Sequence, residues 1–174
     1  MLRVMRLANA LRLAHFLLAK GRVVPFTEVF HGFEKNPSVR EIFGDKTEEV
    51  LASLKAELMW MNGYMWVNSE NGHLMVSTRY LNEGDRTDIH LDVVHELIHV
   101  KQWMEGKELF DERYSYVERP TEIEAYQHTI KEAKRIGMND DEIMCYLKTE
   151  WITNEDLKQL AIKLDVKSDG SEKR

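Results

Sequence analysis

His95-Glu96-Leu97-Ile98-His99 sets two imidazoles four residues apart, with a carboxylate directly after the first. On a helix, residues four apart lie one turn above each other on one face, so both rings can reach a single divalent ion. The glutamate then stands beside the ion, where it can take a proton from acidified water. The spacing predicts a zinc site with His95 and His99 as ligands and Glu96 as general base. The competing reading of two histidines on an apolar face is burial in a core with one hydrogen bond each. Their shared face favours the metal.

The motif needs a helix, and its flanks supply one. Ile89, Leu91, Val93, Val94, Leu97, Ile98 and Val100 surround it with apolar residues. Thr87 and Asp88 can cap the start, and Gly106 stands where a helix commonly stops.

A catalytic zinc site takes three protein ligands and leaves a fourth position open. In metzincins the third ligand follows the second histidine by six residues, after a helix-breaking glycine. Here those positions hold Glu105 and Gln102, so the helix should continue and carry Glu105 away. The better candidates are Glu122 and Glu124, in Arg119-Pro120-Thr121-Glu122-Ile123-Glu124-Ala125-Tyr126. On a helix these two carboxylates point about 200° apart. The apolar face defined by Ile123, Ala125, Tyr126, Ile130 and Ala133 lies within roughly 30–40° of Glu122 and nearly opposite Glu124. An inward carboxylate needs a partner, because burying it unpaired is costly. Glu122 is therefore expected to be the third ligand. The competing explanation, that the helix dipole favours acids in the first turn, suits Glu124 better.

HExxH followed by a glutamate on a later helix resembles the gluzincin branch of the zincin metallopeptidases. Glu122-Ile123-Glu124-Ala125 is also similar to the zincin-like enzymes of phage-repressor cleavage and radiation response, and the short length to minimal gluzincins. The resemblance covers about residues 64–136. It implies an α+β fold in which a small antiparallel sheet packs on the HExxH helix, with further helices at both ends. It also implies an edge strand that binds substrate in extended form, for which His73 to Leu81 is the counterpart. The aspartate that supports a ligand histidine in gluzincins, four residues after the glutamate, is replaced by Tyr126. For the group that stabilises the oxyanion, Tyr114, Tyr116, Tyr126 and His128 are available.

The rest of the chain must position this centre. Its 174 residues suffice for one domain with a substantial core, expected over 1–167 with a flexible tail at 168–174. Residues 1–19 carry Leu7, Leu11, Ala14, Leu17 and Leu18 at helical spacing. Arg3, Arg6, Arg12 and His15 interrupt the run, so a docked helix, or a helix lying on a membrane surface, fits better than a membrane span. Residues 23–45 read as irregular, with Phe26, Phe30, Phe33 and Phe43 tucked under the core, and 46–56 as a helix. Leu58 to Met61 and Tyr64 to Val67 read as strands joined by an Asn62-Gly63 hairpin, with Asn71-Gly72 turning into a third strand from His73 to Leu81. Pro120 and Thr121 open a helix that runs to Gly137. Asn139 with Glu142, and Thr153 with Asp156, mark capping boxes for two closing helices.

Composition narrows the function classes. A formal net charge of -6 argues against a general nucleic-acid binder. A single cysteine, Cys145, cannot form an internal disulfide; this fits a reducing cytoplasm and leaves histidine and carboxylates to hold any metal. The leading expectation is a cytoplasmic zinc peptidase acting on a peptide or protein. A non-catalytic or latent zinc-binding regulatory module is the alternative, the latent form covered by its own tail from Asp165 onward. A metal-free helical interaction domain is the third.

Overall fold

The computed structural model of the chain describes residues 21–167. The helix expected within residues 1–19 and the tail at 168–174 lie outside them.

The described residues form an α+β fold in which four short strands, β1 (Arg22–Pro25), β2 (Lys55–Met59), β3 (Met65–Val67) and β4 (Leu74–Ser77), make one sheet. The sheet is mixed rather than antiparallel. Its order is β1-β2-β4-β3, with β1 antiparallel to β2, β2 parallel to β4, and β3 antiparallel to β4. The expected Asn62-Gly63 hairpin does not form, because β4 inserts between the two strands it would have joined. Continuous burial explains the insertion. Every residue of β4 is buried, as a central strand covered on both faces requires, whereas β2 alternates. Residues 60–64 instead cross the end of the sheet, held where Ser77 Oγ donates to the Met61 carbonyl at 2.7 Å and Thr78 Oγ1 to that of Met59 at 3.2 Å. The tight turn lies at Asn71-Gly72, as its residues suggest.

The stretch 23–45 is more ordered than its composition suggests. It contributes β1, a helical turn at Phe26–Val29 and helix α1 (Pro37–Phe43), capped by Asn36, whose Oδ1 accepts from the N–H groups of Ser38 and Val39. Phe26, Phe30 and Phe33 are buried against one another, as expected. Helix α2 (Thr47–Ser53) leads into β2. After β4 the chain turns at once into α3 (Thr78–Glu83), with Ser77 as its cap, so the third strand is shorter than expected.

Helix α4 (Arg86–Met104) carries HExxH. Its cap is Asp85, two residues before the first of the expected caps, accepting from the N–H groups of Thr87 and Asp88. Gly106, at φ 73, follows its end. One face of α4 (Ile89, Val93, Val94, Leu97, Ile98) packs under the sheet; Leu91 reaches a second core built from α5 (Pro120–Ile136), α6 (Asp140–Leu147) and α7 (Asn154–Lys163). Burial on nearly every side fixes the rotation of this helix and hence the aim of its histidines. Both expected capping boxes are present, at Asn139–Glu142 and Thr153–Asp156. No described helix is long and apolar enough to cross a membrane.

Candidate functional site

Helices α4 and α5 bring His95, His99 and Glu122 to one point. His95 Nε2 and His99 Nε2 are 3.1 Å apart, and Glu122 Oε2 lies 3.3 Å from the first and 3.5 Å from the second. Atoms bound about 2.0–2.1 Å from a tetrahedral zinc are separated from one another by about 3.3 Å. The triangle therefore fits three ligands of one ion. All three side chains are nearly inaccessible, at 7%, 6% and 4% exposure. Glu122 faces inward as its helical phase predicts, and Arg119 Nη1 approaches its other oxygen at 3.7 Å.

Tautomer matters as much as distance. His99 Nδ1 donates to Gln102 Oε1 at 2.7 Å, leaving Nε2 as the nitrogen that faces the centre. The Gln102 amide is oriented in turn, because its Nε2 donates to the Thr121 carbonyl and to Glu124 Oε2, both at 3.0 Å. Glu124 also accepts from Lys107 at 2.9 Å. So Glu124 does not reach the centre, yet it holds the residue that orients His99. His95 Nδ1 has no hydrogen-bond partner among the described residues. Tyr126, standing where the supporting aspartate would be, packs its ring edge-on to that of His95 with centroids 4.5 Å apart.

Glu96 lies beside the triangle. It offers a carboxylate oxygen in a group with His95 and His99 whose ligand atoms all lie within 4.8 Å of one another. The backbone N–H of Val67 reaches its carboxylate, and Oε2 is buried without a partner. Burial, with the charges of Glu122 and Asp92 adding to it, pushes the Glu96 carboxyl up to about 8. Burial lowers His95. It also acts to lower His99, but Glu122 and Glu96 outweigh it and raise that imidazole to about 9. Burial disfavours charge on Glu122, yet the two imidazoles hold its carboxyl far below the usual carboxylate range.

The centre opens into a cavity of about 280 Å³ roofed by β3 and closed at one end by residues after α6. β3, not β4, is the sheet's open edge on this side, so the strand expected at the edge, from His73, is instead internal. Ser77 N–H pairs with the Tyr64 carbonyl and Asn68 N–H with that of His73. By alternation, the backbone groups of Met65 and Val67 point away from β4 toward the cavity. Of the four candidates for oxyanion contact, Tyr116 and Tyr126 line the cavity, their hydroxyls 2.9 Å apart, whereas Tyr114 and His128 do not.

Sequence reasoning missed Gln102 as the residue that orients His99, and it missed Asp92. Asp88, Asp92 and Glu96 recur every four residues, which places them on one face of α4 and was a signal available in the chain. No protein-family model matches this chain, and no curated protein or solved structure matches it.

Proposed function

We propose that this chain is a zinc-dependent metallopeptidase of the gluzincin type, built on a zincin-like fold and working in the cytoplasm. The observation that carries the reading is the triangle of His95 Nε2, His99 Nε2 and Glu122 Oε2, with the unpartnered Glu96 Oε2 at its side. Bound there, zinc supplies a Lewis acid that activates water and polarises a peptide carbonyl. Glu96 accepts the proton from the attacking water and hands it to the leaving amine, a role suited to a carboxyl raised by burial. Gln102 keeps His99 in the ligating tautomer. The outward backbone groups of Met65, with the Val67 carbonyl, pair with an extended substrate, and the hydrogen-bonded pair Tyr116–Tyr126 stands within the same cavity, where its free hydroxyl proton can be donated to the developing oxyanion.

Metal analysis of protein purified without chelator tests the centre; the expected content is about one zinc per chain. Hydrolysis of casein by wild type, lost in Glu96→Gln with zinc retained, tests the chemistry. Metal content near zero that added zinc does not restore removes the metallopeptidase. Stoichiometric zinc without hydrolysis leaves the regulatory module.

A further inference from the structure

One end of the cavity has a chemistry that bond cleavage does not use. Asp92, one turn before Glu96 on α4, is held by two phenols: Tyr80 Oη donates to Oδ2 at 2.6 Å and Tyr146 Oη to Oδ1 at 2.8 Å. Asp88 lines the cavity one turn further along. Among the described residues neither aspartate makes an ion pair, and Lys148, exposed at the rim, does not come within 4.0 Å of either. Burial, with the charge of Asp88 adding to it against the two phenols, pushes the Asp92 carboxyl up to about 6.

The walls are aromatic. Ring centroids step from Tyr80 to Tyr64 (4.9 Å), from Tyr64 to Trp151 (5.2 Å) and from Trp151 to Tyr116 (6.4 Å), running from the acidic end toward the metal centre. Two buried polar atoms without partners face the same space: Glu96 Oε2, on a side chain 7% exposed, and Thr149 Oγ1. Tyr146 closes the acidic end through its bond to Asp92, and the unpartnered acceptors suit an occupant that brings its own donors. Aromatic faces attract cations, and a carboxylate already bridged by two hydroxyls can still accept from one.

We propose that the Asp88–Asp92 end of the cavity is a specificity subsite for a cationic lysine or arginine side chain next to the scissile bond. The proposal rests on the peptidase reading for its substrate and on the cavity alone for its ligand. Four residues of helix place Asp92 about 6 Å from Glu96 along α4. That is the reach of a long side chain whose own peptide group lies at the metal centre.

The binding test does not need turnover. Trp151 lines the cavity, so its fluorescence in zinc-loaded Glu96→Gln protein reports the binding of N-acetyl-arginine amide against its uncharged isostere N-acetyl-citrulline amide. The expected result is at least about tenfold tighter binding of the cationic probe, lost in Asp92→Asn and reduced in Asp88→Asn. Asp88 is only partly buried, so its variant reports even if Asp92→Asn fails to fold. Equal binding of the two probes, or a preference that survives in a folded Asp92→Asn protein, overturns the subsite. Mapping casein cleavage by mass spectrometry separates the two readings. Hydrolysis with no bias to lysine or arginine leaves the peptidase and removes the subsite, whereas selective cation binding without hydrolysis leaves the subsite and removes the peptidase.

Discussion

Glu132 Oε1 lies 2.6 Å from His90 Nε2, and this contact ties together, at one end, the same two helices that Glu122, His95 and His99 join at the other. Helices α4 and α5 run antiparallel, so the two contacts act as paired bolts that fix their relative register. Glu132 is fully buried and also accepts from Asn36 Nδ2 at 2.8 Å, Ser38 Oγ at 2.7 Å and Arg135 Nε at 2.5 Å. The network brings α1 into the same joint.

Removing that carboxylate strands three or more donors in the interior. Glu132→Ala is expected to lose about 3–5 kcal/mol of stability at pH 7, measured by urea unfolding of the metal-free protein. Burial opposes the charge, but Arg135, His90, Ser38 and Asn36 outweigh it and hold the Glu132 carboxyl far below the usual range. A depressed folded value stabilises above the unfolded value of about 4.3, and the benefit is lost as pH falls below it. The gap between wild type and variant should therefore narrow below about pH 4. A constant gap down to pH 2 would contradict the network as described.

The metal centre makes a graded prediction. Glu122→Ala removes the proposed third ligand and should all but abolish zinc binding, whereas Glu124→Ala should leave binding weakened. Gln102→Ala should fall between them, with affinity down about 10–100-fold, because His99 loses the acceptor that fixes its tautomer. Competition with a chromogenic chelator reads all three. Equal loss in Glu122→Ala and Glu124→Ala would refute the assignment of the third ligand.

Zinc and a proton compete for His99. In the metal-free protein Glu122 and Glu96 raise this imidazole to about 9 against the effect of burial, so at pH 7 its Nε2 carries a proton that a metal must displace. Affinity should rise with pH up to about 9. Calorimetry at pH 7 in buffers of different ionisation heat should report at least one proton released per zinc bound, from His99, with Glu96 adding to it. No dependence on the buffer would mean that His99 is already neutral.

The β3–β4 turn is expected to be intolerant of any side chain at Gly72. Its φ is 71°, and a Cβ there would come within 2.5 Å of the Trp103 ring, whose Nε1 donates to the Ser69 carbonyl at 3.0 Å. Gly72→Ala combines left-handed strain with displacement of the indole and should cost about 1–3 kcal/mol. Equilibrium unfolding followed by tryptophan fluorescence checks it, and an unchanged midpoint would show that the turn is not docked on α4.

What the chain spelled out was local. HExxH spacing puts two imidazoles on one face whatever surrounds them, and the apolar neighbours of Glu122 fix its direction on α5. Helix ends at Gly106, Asn139 and Thr153 follow from residues within one turn. The order of the strands is not local. Whether β3 pairs with β2 or lets β4 between them depends on which strand needs cover on both faces, and Asn62-Gly63 permits a turn without compelling one. Gln102 was hidden for a similar reason: its role needs Thr121 and Glu124, about twenty residues away, to orient the amide. Asn36-Pro37 and Ser77 were legible caps, and reading them would have placed α1 and ended β4 at its true length.

The proposed general base supplies the sharpest prediction, because its proposed role and its contribution to stability have opposite signs. Burial pushes the Glu96 carboxyl up to about 8, so the folded protein favours the protonated form. An acid raised on folding stabilises least where it must be ionised. Its penalty is absent below the unfolded value of about 4.3, grows as pH rises, and is complete above about 8. Glu96→Gln keeps the shape and removes the charge, so the metal-free variant should be more stable than wild type at pH 8–9, by about 2–5 kcal/mol, and close to it at pH 4–5. Thermal and urea unfolding of both proteins across this range measure the difference. The same substitution is expected to lower casein hydrolysis by about 10²–10⁴-fold while zinc content stays near one. A variant less stable than wild type at pH 9 would mean that Glu96 is a structural hydrogen-bond acceptor and not a carboxylate held ready for proton transfer.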